Sequence, residues 1–271
     1  MPLIPREKAR LFGREALAIL RARSYLSPLG IRVEIGESLD RAVTGTIEYP
    51  PDCDAVADFM LGLTPVISVE NETVLNVGRR LAAAGPIAAL NFASATSPGG
   101  GFLDGSRAQE EGIAWSSGLY ACLEHSPMYA FHQQALDARY SHWAIYSPEV
   151  PVFRAGGELL ETPWSMSIIT CPAVNVEALR RYAPERLVEI PRLMRERAHK
   201  VLAIAVKQGH RRLILGAWGC GAFGIESRVM ADIFHTLLTS TFARAFEQIA
   251  FAITDWSEER KFIAPFRATF A

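Results

Sequence analysis

Two adjacent carboxyls, Glu110 and Glu111, follow Gln109, and seven residues earlier the chain carries three consecutive glycines, Gly99, Gly100 and Gly101. A glycine run folds tightly and comes close to a ligand, because no Cβ intervenes and positive φ costs little. The QEE triplet reads as the start of a helix. Successive helical positions point about 100° apart, so within regular helix only one of the two acids would face a given pocket. At the helix start both can lean toward one ligand, one holding hydroxyls and the other moving a proton. Two effects oppose each other over the pKa of such an acid: the helix N-terminus lowers it, while burial and a neighbouring carboxylate raise it. Without the preceding glycines the same pair would read as a solvated first turn.

A second glycine loop, GAWGCGAFG at 216–224, repeats the logic of the first: an apolar strand runs into glycines at 216, 219, 221 and 224, and a helix follows. Ligands of open α/β sheets lie beyond the carboxyl ends of strands, where loop and helix-start N–H groups hold phosphate oxygens. Two such loops can wall one pocket, although either taken singly is equally a tight turn. Neither contains lysine, which excludes the GxxxxGK[ST] phosphate loop, and the second does not match a dinucleotide fingerprint at a first βα turn. A phosphate cradle of backbone amides, suited to a diphosphate held without metal, is what remains.

The elements that must position these loops alternate. Residues 6–23 predict a helix, with Leu11, Phe12, Leu17 and Leu20 as its apolar recurrences, and 31–51 predict short strand and loop. From 65 onward strands (66–69, 87–92, 144–154, 165–170, 211–218 and 249–255) alternate with helices (74–84, 108–123, 191–208, one after the second loop and a short final one). This rhythm predicts an α/β fold, a mixed sheet flanked by helices, over 65–271, with 1–64 as a mainly helical N-terminal extension packed on that core.

With 271 residues, 49% hydrophobic, the chain has material for a substantial core, and its formal net charge of −1 gives no global attraction to nucleic acid or an anionic membrane. Cys53, Cys122, Cys171 and Cys220 are far apart, without CxxC or a His/Cys cluster, so they read as free thiols in a reducing compartment. The six histidines show no HExxH or paired ligand spacing, and neither metal nor cofactor is expected. The basic run at 192–200 reads as the solvated face of an amphipathic helix. No signal-peptide core or membrane-length apolar run is present, which makes a soluble cytoplasmic protein, a monomer with no direct nucleic-acid or membrane binding, the expectation.

The string GGG, seven residues, then QEE resembles the signature of the bacterial-type poly(ADP-ribose) glycohydrolases, which have the macrodomain fold. Further stretches resemble the family in order: NETVLNVGRRLA, LNFASATSPGGGF, SPEVPVFR, ITCPAVN and LGAWGCGAFG. The resemblance implies a macrodomain-like fold and metal-free hydrolysis of ribose–ribose O-glycosidic bonds in poly(ADP-ribose) on modified proteins, releasing ADP-ribose. It places the chain among enzymes that reverse ADP-ribosylation, for instance in the DNA damage response. Carried over by position, Glu111 would be the acid, Glu110 would bind ribose hydroxyls and Gln109 would help to position substrate. Gly99, Gly100 and Gly101 would line the distal ribose and phosphates. Gly219, Cys220, Gly221, Ala222, Phe223 and Gly224 would wrap the diphosphate, with Phe223 packed on the terminal ribose. Asn91 and Phe153 would also bind substrate, though Asn91 equally reads as a loop cap and Phe153 as core. The sequence departs from the family at Ile225-Glu226-Ser227, where an asparagine and a short acidic or proline turn would follow the loop, and at Ser94 and Ser97, where larger polar residues would stand. These departures bear on the contacts to the distal ribose. Two alternatives stand beside this reading: a binding module that holds ADP-ribose without cleaving it, and a hydrolase of another ADP-ribose linkage, such as mono-ADP-ribosylated protein or nucleic acid.

Overall fold

A computed structural model describes residues 4–53 and 62–271. Helix α1 (Arg6–Ala22) buries Ala9, Phe12, Ala16, Ile19 and Leu20, a stripe at three- and four-residue spacing, and ends with Arg23 in the left-handed conformation. The stripe runs partly through alanine, so Leu11, assigned to the apolar face by its type, lies 60% exposed instead. A small hairpin, β1 (Ser24–Leu26) with β2 (Arg32–Glu34), leads to helix α2 (Gly36–Thr44) and strand β3 (Ile47–Tyr49). The reading of 31–51 as strand and loop missed α2. With a glycine at its first position and only nine residues, this helix gains little from propensity and depends on burying Leu39 and Ala42.

The main sheet has seven strands in the order β3-β6-β7-β5-β8-β9-β4. Its parallel centre comprises β7 (Glu158–Pro172), β5 (Ala88–Ala93), β8 (Arg212–Leu215), β9 (Gln248–Ala252) and β4 (Val66–Glu70). Antiparallel β6 (Ala144–Ala155) joins β7 to the edge strand β3, so residues before 65 also contribute to this sheet. Strand alternation divides the core. Ala88 and Leu90 face α8 (Ile190–Lys207) and α9 (Ser227–Thr239), with α7 (Val176–Tyr182) and α10 (Ala264–Thr269) on the same side. Ile87 and Ala89 face the opposite layer, built from α3 (Val74–Ala82), α4 (Gln109–Ala114), α5 (Leu119–Leu123) and α6 (Pro127–Ala135). A third cluster joins α1 to Phe102, Trp115 and Phe153.

The expected helix over 108–123 is two helices, broken between Trp115 and Gly118, where Ser117 instead bridges to Val152 of β6. Both α6 and α7 escaped the sequence reading, although each has a side-chain N-cap, Ser126 accepting from the Met128 N–H and Asn175 from the Ala178 N–H. The basic run on α8 is corrected in part. Arg192 and Arg195 are exposed, but Arg197 and Lys200 are buried and donate to main-chain carbonyls: Arg197 to Pro172 at 2.9 Å and Tyr140 at 3.0 Å, Lys200 to Pro50 at 2.5 Å. Carbonyl acceptors leave no trace in a charge pattern. None of the described helices is long and apolar enough to cross a membrane.

Candidate active site

Strand β5 delivers the chain to the C-terminal edge of the sheet, and the loop 94–108 turns it back into α4. The loop is wrapped around the two carboxyls. Glu110, 4% exposed, accepts from the Ser94 N–H at 2.6 Å, with the Asn91 amide nitrogen at 3.5 Å. Glu111, at the third position of α4, accepts from the Ala108 N–H at 2.9 Å and the Gly101 N–H at 3.0 Å. The bond to Ala108 is the half of a capping box that needs no oxygen on the N-cap residue. Burial pushes Glu110 up to about 8, aided by the charge of Glu111; the Ser94 and Gly99 N–H groups and the Asn91 amide pull the other way without prevailing.

Gly100 explains why the loop can close so tightly. At φ +60°, it lies where a Cβ would collide with Glu111 Oε1 and come within 2.9 Å of Glu110 Oε2. Only glycine both tolerates this backbone and leaves space for two carboxyls at one point.

Glu110 and Glu111 line a cleft of about 180 Å³ together with Phe92, Ser94, Gln109, Ala173 and the loop residues Ala217, Trp218, Gly219, Gly221, Ala222 and Phe223. That loop leaves β8 beside β5, so neighbouring parallel strands set its distance from the acids. Trp218, fully buried, pins the loop by donating from its indole to the Cys171 carbonyl at 3.1 Å. The Phe223 carbonyl accepts from the Val176 and Glu177 N–H groups at 2.9 and 3.2 Å, which straps the loop to the start of α7. Gly224, φ +74°, lies against the Glu177 side chain, which a Cβ would displace, whereas Gly221 faces open space.

The expected residues thus divide. Gln109, Glu110, Glu111, Gly219, Gly221, Ala222 and Phe223 border one cleft, but Gln109 is committed elsewhere. Pairing of β5 with β8 ends at Ala89↔Ile214 while pairing with β7 continues to Ala93↔Pro172. The Gln109 amide fills the gap, donating to the Leu90 carbonyl at 2.7 Å and accepting from the Phe92 N–H at 2.9 Å. Its part in the site is to hold α4 to β5. Gly99, Gly100 and Gly101 stand behind the acids and do not line the cleft wall. Asn91 is fully buried under Glu110, also 3.3 Å from Thr170 Oγ1, with its amide oxygen unpartnered. Cys220 is buried, its thiol pushed up to about 12 by burial. Phe153 is corrected: it is fully buried and packs on Tyr25 with ring centroids 6.0 Å apart, so no face is left for a ligand.

Sequence reasoning missed Trp218 and Ala173 as cleft residues, and it weighed Ser94 only for its side chain. Ser94 acts through its N–H, and Ala173 is reached only because β7 ends beside β5; no side-chain type announces either. The departure at Ile225 also has an account, since its buried side chain packs where Gly219 carries no Cβ. Among the described residues no three His, Cys, Asp or Glu side chains cluster as metal ligands would.

A seven-stranded mixed sheet covered by helices on both faces, with its cleft at the carboxyl ends of β5 and β8, defines a macrodomain-like α/β protein. The model of the microbial-type PARG catalytic domain matches residues 13–155. The chain belongs to that family. Its structure superposes on poly(ADP-ribose) glycohydrolase from Thermomonospora curvata with a TM-score of 0.91 at 42% identity, covering 97% of this chain and 99% of that one. The same enzyme bound to the inhibitor ADP-HPD gives 0.90 at 44% identity, with the same coverage. Poly(ADP-ribose) glycohydrolase from Deinococcus radiodurans in complex with ADP-ribose gives 0.82 at 38% identity, covering 85% of this chain and 96% of that one. No curated protein sequence matches.

Proposed function

We propose that this protein is a poly(ADP-ribose) glycohydrolase that hydrolyses ribose–ribose O-glycosidic bonds and releases ADP-ribose. The observation that carries the reading is the placement of Glu110 and Glu111 on one wall of the cleft with the 217–223 loop on the other, in a member of a family whose solved relatives hold ADP-ribose and ADP-HPD. The diphosphate lies along Gly219, Gly221 and Ala222, and Phe223 packs against the ribose that ends at the acids. Amides that are already ordered bind phosphate oxygens with little further loss of freedom.

Burial raises Glu110 to about 8, so a proton is held beside Glu111 at neutral pH. Glu111 delivers the proton to the departing ribose oxygen as the bond to the anomeric carbon breaks and oxocarbenium character grows. The resulting carboxylate then takes a proton from the water that forms the new C–O bond, which restores the pair. The N–H groups of Ala108 and Gly101 hold that carboxylate in place, and each of its oxygens keeps a further lone pair for the substrate. Glu110 holds a ribose hydroxyl.

The test compares wild type with Glu111→Gln on auto-modified polymer and on mono-modified protein, in excess EDTA. Wild type releases ADP-ribose from polymer; the variant loses roughly 10²–10⁴ in kcat, the range of a positioned general acid, while binding ADP-ribose as before by calorimetry. Unchanged turnover in the variant sinks the assignment of Glu111. Wild-type protein that binds ADP-ribose but releases none identifies a binding module, and release only from mono-modified protein identifies another linkage.

A further inference from the structure

We infer that helix α1 is a working part of the site and that Gly13 is a positioning residue for Glu111, an inference that rests on the role proposed for that acid. Gly13 is the eighth of the 17 residues of α1 and is buried. A glycine in a helix interior costs about 1 kcal/mol relative to alanine, so its presence calls for a close approach. That approach is to the main chain of the glycine loop: a Cβ on Gly13 would collide with the Phe102 carbonyl oxygen and stand 3.1 Å from its carbon. The Phe102 peptide has nowhere to retreat. Its ring is 1% exposed, packs on Tyr120 at 5.0 Å between centroids, and lies within 3.0 Å of where a Gly99 Cβ would be. Two peptide units upstream is the Gly101 N–H that holds Glu111 Oε1.

Other contacts make α1 a clamp on this segment. Gly105, at φ +80°, lies against the Arg6 carbonyl, where a Cβ would be 2.5 Å from the oxygen. Arg107 donates to the Ile4 carbonyl at 2.8 Å. From the other side Arg154, 2% exposed, donates to Glu15 at 2.7 Å and stacks over Phe12 at 4.4 Å. It also donates to the carbonyl of Trp115, the C-cap of α4, at 3.1 Å. The helix therefore touches the loop before Glu111 and, through Arg154, the end of the helix that carries it.

The experiment replaces Gly13 by alanine in the full chain and measures polymer hydrolysis alongside amide hydrogen exchange at Gly101. Gly13→Ala is expected to lower kcat at least tenfold with KM within twofold, and to speed Gly101 exchange at least tenfold. Ala16→Gly, which weakens α1 one turn beyond Gly13 without adding an atom, should leave both at the wild-type value. Unchanged kcat in Gly13→Ala, unchanged exchange, or an equal loss in Ala16→Gly overturns the inference. If Gly13→Ala does not accumulate folded, Arg107→Ala, which frees the loop from Ile4 without adding an atom, must speed Gly101 exchange, and no change there overturns it. The exchange arm needs no turnover. Wild-type protein inert toward polymer therefore refutes the proposed function while exchange still decides the clamp.

Discussion

Replacing Glu110 by glutamine removes one titration from the folded protein, while glutamine can still accept from the Ser94 N–H. In the native protein Glu110 binds its proton up to about pH 8, whereas unfolded it releases it near 4.5. Between those values the native state holds more protons than the unfolded state, so wild-type stability falls as pH rises, by up to about 1.4 kcal/mol per unit. Summed across the window the loss is on the order of 5 kcal/mol; it is complete above the folded value and absent below the unfolded one. The glutamine variant has no such slope. Urea unfolding of both proteins at intervals from pH 4.5 to 9 gives the difference directly. Buried histidines such as His210, pushed down to about 4 by burial, contribute equally to both and cancel. The variant should match wild type at the acid end, gain on it steadily toward pH 8 and level off beyond. Parallel stability curves would refute the claim that burial keeps the proton on Glu110.

Further consequences concern the loops and the two phenylalanines. Gly100→Ala must hold an L-residue at positive φ, about 1–2 kcal/mol, and push a carboxylate off its N–H donor, about 1.5–3 kcal/mol more, so its unfolding free energy should drop by about 2.5–5 kcal/mol with kcat falling sharply; wild-type values of both would dismiss the account of the cradle. Phe153→Ala should cost about 3–5 kcal/mol of stability as a core deletion, whereas Phe223→Ala, on a partly buried ring, should weaken ADP-ribose binding in calorimetry at a smaller cost in stability. The reverse pattern would return Phe153 to the site. Gly224→Ala, strained at positive φ and driven onto Glu177, should weaken ADP-ribose binding by unstrapping the loop from α7, and unchanged affinity would show that the strap does not shape the phosphate side.

Much of the fold lay open in the linear pattern. The strands of the parallel centre announced themselves as apolar runs, and the helices α8 and α9 carried apolar faces. Short elements did not: α2, α6 and α7 have seven to nine residues each and form because neighbours cover them. The site was legible where side-chain type carried the chemistry, in Glu110, Glu111 and the glycine loops. It was illegible where the main chain does the work, as with the N–H groups of Ser94, Gly101 and Ala108.

The amino-acid sequence by itself determined the alternation of the longer strands and helices, the two glycine loops and the carboxyl pair, because periodicity, turn chemistry and a short spaced motif are properties of neighbouring residues. Tertiary structure alone decided what each of those residues touches. Gln109 completes a strand edge because pairing of β5 with β8 stops at Ala89, and Phe153 is core because α1 lies over β6. Glu110 keeps its proton because the loop shuts out water, and Gly13 matters because a helix far back in the chain meets the Phe102 carbonyl. Burial, protonation and close approach depend on which surfaces meet, and residues distant along the chain fix that only once it has folded.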